Sequence, residues 1–318
     1  MTLRWGILGA ARFAREHMGP AIHAAAGNEL VCVGSRSGTG FDWHPSLRVH
    51  ARYEDVLDDP EVDAVYIPLP NHLHVEWAEK AAEAGKHVLV EKPAAMEVAG
   101  IDRLIEARHR TGRLVAEAFM IVHHPQWQAA KAALTEGAIG TLRLVEAAFS
   151  FRNTDGANIR NRPETGGGAL PDIGVYAFGG PRFATGAEPV DLSARIQRED
   201  GVDTLALVEA RMEGGGQAFD YRGMVSTRLA PRQEVVFHGE AGVMRLPVPF
   251  NARVFGEPAL IVDRGTERTV RRWPAADQYV LQVEAFARAA RGEDYACPLE
   301  FSRGTQAMID LAYAADPA

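Results

Sequence analysis

Three segments of the chain carry side chains able to move a proton while a neighbouring carbon is oxidised or reduced. They are Tyr66-Ile67-Pro68-Leu69-Pro70-Asn71-His72-Leu73-His74, then Glu91-Lys92-Pro93, then Gly166-Gly167-Gly168-Ala169-Leu170-Pro171-Asp172-Ile173-Gly174-Val175-Tyr176. Taking hydride from an alcohol carbon requires a base for the hydroxyl proton. A tyrosine phenol, with an ordinary pKa of about 10, serves at neutral pH only if a neighbouring ammonium stabilises the phenolate. Lys92 is such an ammonium and Tyr176 such a phenol. In the reverse direction protonated Tyr176 would donate to a carbonyl oxygen while Lys92 polarises it. Asp172 and Tyr176 are four apart, so a helix over 170–184 would show both on one face, where Asp172 can hold the lysine or a substrate hydroxyl. Each residue also admits a purely structural role: a solvated lysine at a strand end, an aspartate cap, a packed tyrosine.

The elements that must position these groups fall into two patterns. Over the first 120 residues, short β-branched runs at 4–8, 30–35, 64–67, 87–91 and 114–118 alternate with helical patterns at 13–26, 53–57, 72–84 and 97–110. That is the rhythm of βαβ units and a parallel sheet. Gly85 and Gly112 read as helix stops and Asn71 as an N-cap. Pro20 should kink or shorten the first helix. The stretch 37–46, with Gly38, Gly40 and Pro45, reads as a loop where a crossover helix would stand. After Met120 one helix, 127–136, precedes longer strand-like runs at 142–151, 191–198, 204–211 and 234–238, the order of a mostly antiparallel sheet. Helices at 276–291 and 302–314 close the chain. We expect an α/β protein: a Rossmann dinucleotide-binding domain over 1–120, then a substrate-binding and oligomerisation α/β domain over 121–318 with a large open sheet.

Gly9-Ala10-Ala11-Arg12-Phe13-Ala14 lies between a predicted strand and a predicted helix and reads as a G-x-A-x-x-A form of the dinucleotide fingerprint, which seats a pyrophosphate on helix N–H groups. Alanine at position 11 weakens it. The second strand ends in Ser35-Arg36, where an NAD site usually carries Asp or Glu for the ribose hydroxyls; an arginine there would pair with a 2′-phosphate. NADP is therefore expected over NAD, with NAD still open. In an open parallel sheet the carboxyl ends of the strands border the ligand, so Pro68, Leu69, Asn71, His72, His74, Glu91 and Lys92 join Gly9, Ala11, Arg12, Phe13, Ser35 and Arg36 as expected cofactor neighbours.

These segments together resemble the Gfo/Idh/MocA oxidoreductase family over nearly the whole chain. The narrower similarity is to its dimeric dihydrodiol dehydrogenase and NADP-dependent D-xylose dehydrogenase branch, through 66–73, Glu117-Ala118-Phe119-Met120, His124-Pro125-Gln126 and Asn158-Ile159-Arg160. The resemblance implies that Lys92, Asp172 and Tyr176 are catalytic and that they bind substrate with Asn158 and Arg160. It also implies a cis Lys92–Pro93 bond and a sheet face that pairs subunits, giving a homodimer or dimer of dimers. One departure stands out: Met120-Ile121-Val122-His123-His124-Pro125 replaces the relatives' Met-Tyr-Arg-x-His-Pro, removing two polar groups and loosening any inference to a particular sugar.

Composition bounds the alternatives. The 318 residues carry a formal charge of −8 with no long like-charge block, which disfavours nucleic-acid and membrane partners. Leu3–Gly9 shows no signal-like core, and the two cysteines, Cys32 and Cys297, lack metal-ligand spacing, so a cytoplasmic, metal-free chain is expected. His123-His124 lacks the further ligands a zinc site needs. Trp127 and Phe151 could wall a sugar site or fill a core. The expected reaction is hydride transfer between nicotinamide and the alcohol or carbonyl carbon of a sugar or related cyclic diol. A catalytically silent dinucleotide-binding regulator and a reductase of a non-sugar imine or carbonyl remain open.

Overall fold

The structure, a computed structural model, describes residues 2–317. Two compact units emerge: one contains the chain up to Met120 together with Gln278–Arg303, the other Ile121–Asp277 and the chain from Gly304 onward.

The first unit is built on six parallel strands: β1 Leu3–Leu8, β2 Asn28–Gly34, β3 Arg48–His50, β4 Ala64–Ile67, β5 His87–Glu91 and β6 Val115–Ala118. Their order is β3-β2-β1-β4-β5-β6, so the direction of winding reverses between β1 and β4, where a doubly wound sheet opens its ligand crevice. Strands covered on both faces must be apolar throughout, and β4 and β6 are buried at every position. Edge strand β3, Arg-Val-His, has no apolar run and was not foreseen; the loop before it is irregular, as expected.

The first helix differs from expectation in an informative way. The chain is helical over 12–24, but Ala14–Met18 is π-bonded, and α1, Gly19–Ala24, follows with Pro20 in its first turn. The Gly19 N–H reaches the carbonyl of Ala14, five residues back, so the widened turn accommodates the proline's missing donor. Helices α2 Tyr53–Leu57, α3 His74–Glu83 and α4 Val98–Thr111 follow, α3 and α4 stopping before Gly85 and Gly112, both left-handed. Asn71 does not cap α3. It opens a separate 3₁₀ turn, Asn71–Leu73, in which Leu73 N–H bonds Pro70 O at 2.9 Å, and Leu73 takes the cap position.

The expected division at residue 120 differs in one respect: Gln278–Arg303 groups with the first unit. The fully buried Trp5 ring meets Phe286 at 4.9 Å, Tyr279 meets Phe13 edge-on at 5.5 Å, and Leu299 joins the core between sheet and helices. Arg303 also pairs with Asp102. These aromatic contacts join residues more than 260 apart in the chain, beyond any local pattern.

The second unit holds α5 Pro125–Thr135, β7 Leu142–Arg152, α6 Val175–Thr185, β8 Ala187–Glu199, β9 Val202–Gly214, β10 Gln217–Ser226, β11 Arg228–Gly239, β12 Val243–Leu246, β13 Ala259–Arg264 and β14 Glu267–Arg272. The eight strands form one sheet, order β14-β13-β12-β11-β7-β10-β9-β8, antiparallel apart from the β7–β10 pair. Burial alternates along β9: Ala206, Val208, Ala210 and Met212 face the core, and Leu207, Glu209, Arg211 and Glu213 face outward. Helix α6, buried at every residue, packs on β7, β8 and β10. Pro181 inside α6 cannot donate to the Ala177 carbonyl, and the buried Tyr221 hydroxyl of β10 donates to it instead at 2.9 Å. Helix α7, Gln278–Ala289, lies in the first unit, and α8, Leu299–Ala314, contributes residues to both. Among the described residues no helix is long and apolar enough to cross a membrane.

Candidate active site

In the first unit, Gly9 ends β1 with φ of +107°, a conformation that favours glycine, and its N–H bonds Gly34 O at 2.9 Å. A Cβ there would also press on Leu69 Cδ2 at 3.1 Å. Ala11 and Phe13 are half-buried; the Phe13 ring is taken up by His17 and Tyr279. Arg12 is exposed and pairs with Glu16 one turn on. After β2 the chain turns around the Ser35 hydroxyl, which accepts from Thr39 N at 3.2 Å and lies 3.1 Å from Ser37 Oγ. Arg36 projects from this turn, exposed, with no carboxylate in ion-pair reach among the described residues. Hydroxyls beside an uncommitted guanidinium are what a phosphomonoester requires.

The Lys92 loop, which contains a cis Lys92–Pro93 bond, follows β5 and is tied down through its backbone. Lys92 N donates to Glu91 Oε2 at 3.2 Å, Ala94 N donates to Glu117 Oε1 at 2.8 Å, and the Pro93 carbonyl meets His74 Nδ1 at 2.8 Å. Tyr66 donates to the other oxygen of Glu91 at 2.5 Å. Burial pushes the Glu91 carboxyl above the usual range, against Lys92 and the Tyr66 bond, which pull it down. His72 is exposed and Pro68 and Asn71 half-buried near the mouth of β4. His74 departs from the expectation of a cofactor neighbour: it is fully buried and its second ring nitrogen meets the Leu69 carbonyl at 2.7 Å. Its ring faces backbone on both sides.

In the second unit the glycine run threads a narrow passage. Gly166 and Gly168 are left-handed, at φ of +75° and +136°. A Cβ on Gly167 would sit 2.5 Å from Arg160 O, and one on Gly168 would sit 2.1 Å from Asp203 Oδ1. The helix that follows begins π-bonded over Leu170–Gly174, with Pro171 in its first turn as the sequence suggested, and continues as α6. Asp172 lies on the π segment and Tyr176 on α6, both almost fully buried. Arg160 Nε donates to Asp172 Oδ2 at 2.6 Å. The Asn158 side chain accepts from Arg160 N at 3.1 Å, capping the short 3₁₀ turn Ile159–Asn161 that aims Arg160. The Tyr176 ring packs beside Phe149 and Phe250. Trp127, fully buried, donates to Pro249 O at 2.7 Å and stacks on Phe250, so it is core and not a sugar wall.

The family described as an oxidoreductase family with an NAD-binding Rossmann fold matches residues 3–119, and the GFO/IDH/MocA C-terminal domain matches residues 127–245. This chain belongs to the Gfo/Idh/MocA oxidoreductase family. It is 40% identical to an uncharacterized oxidoreductase, ORF334, of Rhizobium meliloti, over 97% of this chain and 95% of that one. It is 31% identical to D-xylose 1-dehydrogenase (NADP(+)) 2 of Haloferax volcanii, over 98% and 96%. Among solved structures it is similar to KijD10, a 3-ketoreductase from Actinomadura kijaniata in complex with NADP and TDP-benzene, with a TM-score of 0.88 and 28% identity over 99% and 98% of the two chains.

In this Gfo/Idh/MocA chain several residues that support the motif segments escaped the sequence reading. Asp203 of β9 accepts from Leu170 N at 2.7 Å and from Tyr313 at 2.7 Å, holding the start of the helix that carries Asp172 and Tyr176. Burial pushes its carboxyl above the ordinary range. An acid inside a fully buried strand was the available signal for Glu117; β9, which also carries Glu209, Arg211 and Glu213, offered none for Asp203. Spacing also missed that Cys32, His50 and Asp59 bring ligand atoms within 4.8 Å of one another. That group reads as an ion-pair knot: Arg48 meets Asp59 at 3.0 Å, Glu61 N donates to it at 2.8 Å, and burial pushes the Cys32 thiol up to about 12.

Both φ and Asp203 stand against a side chain at position 168, so Gly168→Ala should cost more than about 2 kcal/mol and take activity with it. Gly156→Ala, with open space around it, should stay within about 0.5 kcal/mol. Urea unfolding of the two variants measures the difference; equal costs would contradict the close approach.

Proposed function

We propose that this chain is an NADP-preferring dehydrogenase or reductase that acts on the alcohol or carbonyl carbon of a sugar or related cyclic diol, with Lys92 and Tyr176 handling the proton and Asp172 orienting the reacting groups. The observation that carries the reading is a spacing. KijD10 has been solved with a lysine replaced by alanine or glutamate and with a tyrosine replaced by phenylalanine, and those two residues lie as far apart in its chain as Lys92 and Tyr176 do here. Sugar substrates are supported by relatives named as D-xylose dehydrogenase and as dTDP-sugar 3-reductases.

The residues fit a nicotinamide dinucleotide. The left-handed turn at Gly9 leaves room for close approach, and Ser35, Arg36, Ser37 and Thr39 offer hydroxyls and a guanidinium to a 2′-phosphate. When bound, the nicotinamide accepts or supplies hydride. Lys92 contributes a positive charge from a loop whose backbone is fixed at three consecutive residues, so its stem starts from a defined point. Tyr176 takes the hydroxyl proton in oxidation and returns it in reduction. Arg160 holds the Asp172 carboxylate in one orientation, and Asp172 with Arg160 and Asn158 supplies polar contacts suited to vicinal hydroxyls.

The open sheet face of the second unit supports a homodimer, or a dimer of dimers. A shallow concavity there is lined by Ala148, Leu207, Met224 and Val236 among Glu146, Glu209, Arg195, Arg222, Arg232 and Glu234. An apolar centre with both signs of charge around it is self-complementary under a two-fold axis.

Lys92→Ala and Tyr176→Phe should each lower kcat by about a hundredfold or more while NADP affinity stays within about threefold. Single-turnover assays across aldoses, polyols and dihydrodiols test this, and full turnover in either variant would refute the assignment. Arg36→Asp should lower kcat/KM for NADP by at least about tenfold and leave NAD less affected; a wild-type preference for NAD would sink the cofactor reading. The double variant Leu207→Arg, Met224→Arg should sediment as a single copy where the parent does not. A monomeric parent rules out the dimer.

A further inference from the structure

We propose that His74 is a positioning residue for the reaction, a doubly protonated imidazolium that braces the loop after β4 against the Lys92 loop after β5. The inference rests on the reading of Lys92 as catalytic, but its evidence is independent of that reading.

The ring is wholly shielded from solvent, with Nδ1 2.8 Å from Pro93 O and Nε2 2.7 Å from Leu69 O. Carbonyl oxygens only accept. A neutral imidazole has one N–H and one lone pair, so in either tautomer one of these contacts would set a nitrogen lone pair against an oxygen lone pair at hydrogen-bonding distance. Both contacts are bonding only if both nitrogens carry protons. Burial, the largest influence, and the nearby charges of Lys92 and His72 draw the ring's proton affinity below the ordinary imidazole value, and the two carbonyls oppose that shift. Two short contacts with acceptors that have no proton to give decide for the cation.

The brace joins three strand ends. Leu69, whose carbonyl receives one proton, presses its side chain toward Gly9 at the end of β1. Pro93, whose carbonyl receives the other, immediately follows Lys92. The remaining ties on the Lys92 loop, Lys92 N to Glu91 and Ala94 N to Glu117, act on N–H groups. His74 acts on the carbonyl between them, fixing the rotation of the 93–94 peptide plane that the other two leave to a single bond. Losing it would displace Lys92 Nζ by a fraction of an ångström without unmaking the loop.

Two measurements on the full chain with NADP test this. Long-range nitrogen–proton spectra of the histidine rings, assigned through the backbone, should show both His74 nitrogens protonated at the assay pH. One unprotonated nitrogen overturns the cationic brace, and this readout needs no variant to fold. His74→Gln, which keeps a single donor, should lower kcat about tenfold with substrate KM and NADP affinity within about threefold. Unchanged kcat overturns the positioning role. A tenfold loss of NADP affinity at constant kcat overturns it too, returning His74 to the cofactor. Failure of the Lys92 reading is told apart because it appears as turnover by Lys92→Ala, leaving the ring spectrum untouched.

Discussion

A buried backbone N–H or C=O that no helix or sheet pairs must find another partner, and the chemistry-bearing segments of this protein are where that demand is greatest. Lys92 and the glycine run before Asp172 both lie where regular structure stops. At each, a buried polar side chain from a different element completes the bonding: Glu117 of β6 on Ala94, His74 of α3 on Pro93 and Leu69, Asp203 of β9 on Leu170. Leaving such a group unpaired costs about 1–3 kcal/mol, which is comparable to what burying the side chain costs, so the pair is tolerated where either alone would not be. Tyr221 follows the same logic within α6. Burial holds its phenol protonated and therefore a donor, which is what the Ala177 carbonyl left open by Pro181 requires.

Proline and π-bonding recur together at both working helices. The helix after Gly9 and the helix after Gly168 each start with a π-bonded segment, and each has a proline within one turn of it. A π turn leaves one more residue per turn than the surrounding α-helix, so it re-aims the side chains that follow. In the second unit this occurs between Asp172 and Tyr176. Their shared face is thus set by a local departure from α geometry, and the four-residue spacing alone would have placed them with slightly different relative rotation.

Lys92-Pro93, Gly9, Ser35-Arg36 and the run from Gly166 to Tyr176 were legible because each is a local feature whose meaning depends on its neighbours: a strand end, a left-handed turn, a helix start. The parallel and antiparallel halves were legible for the same reason, through period. What escaped depends on distance along the chain. Nothing near Gln278 announces that Phe286 will meet Trp5, and nothing near Asp203 announces that it will receive Leu170 N–H. Trp127 was undecidable from sequence because an aromatic ring reads alike in a core and in a sugar site; the close approach of Gly180, where a Cβ would lie 2.5 Å from the Trp127 ring, makes it core. His74 was read as a cofactor neighbour because its segment follows the carboxyl end of a parallel strand. The register of the 3₁₀ turn at Asn71–Leu73 rotates it inward and leaves His72 exposed.

The negative charge of the chain sharpens the question of how it attracts a polyanionic cofactor. Most arginines near the β2 end are already matched: Arg4 to Asp63, Arg12 to Glu16, Arg48 to Asp59 and Glu61, Arg52 to Glu54. A paired guanidinium offers an incoming phosphate little, since its gain is offset by the carboxylate it must leave or share. Among the described residues Arg36 has no such partner, and the turn that carries it holds three hydroxyls able to accept or donate. Under the proposed reading of Arg36, selectivity for a 2′-phosphate arises less from adding positive charge than from withholding a carboxylate at one position.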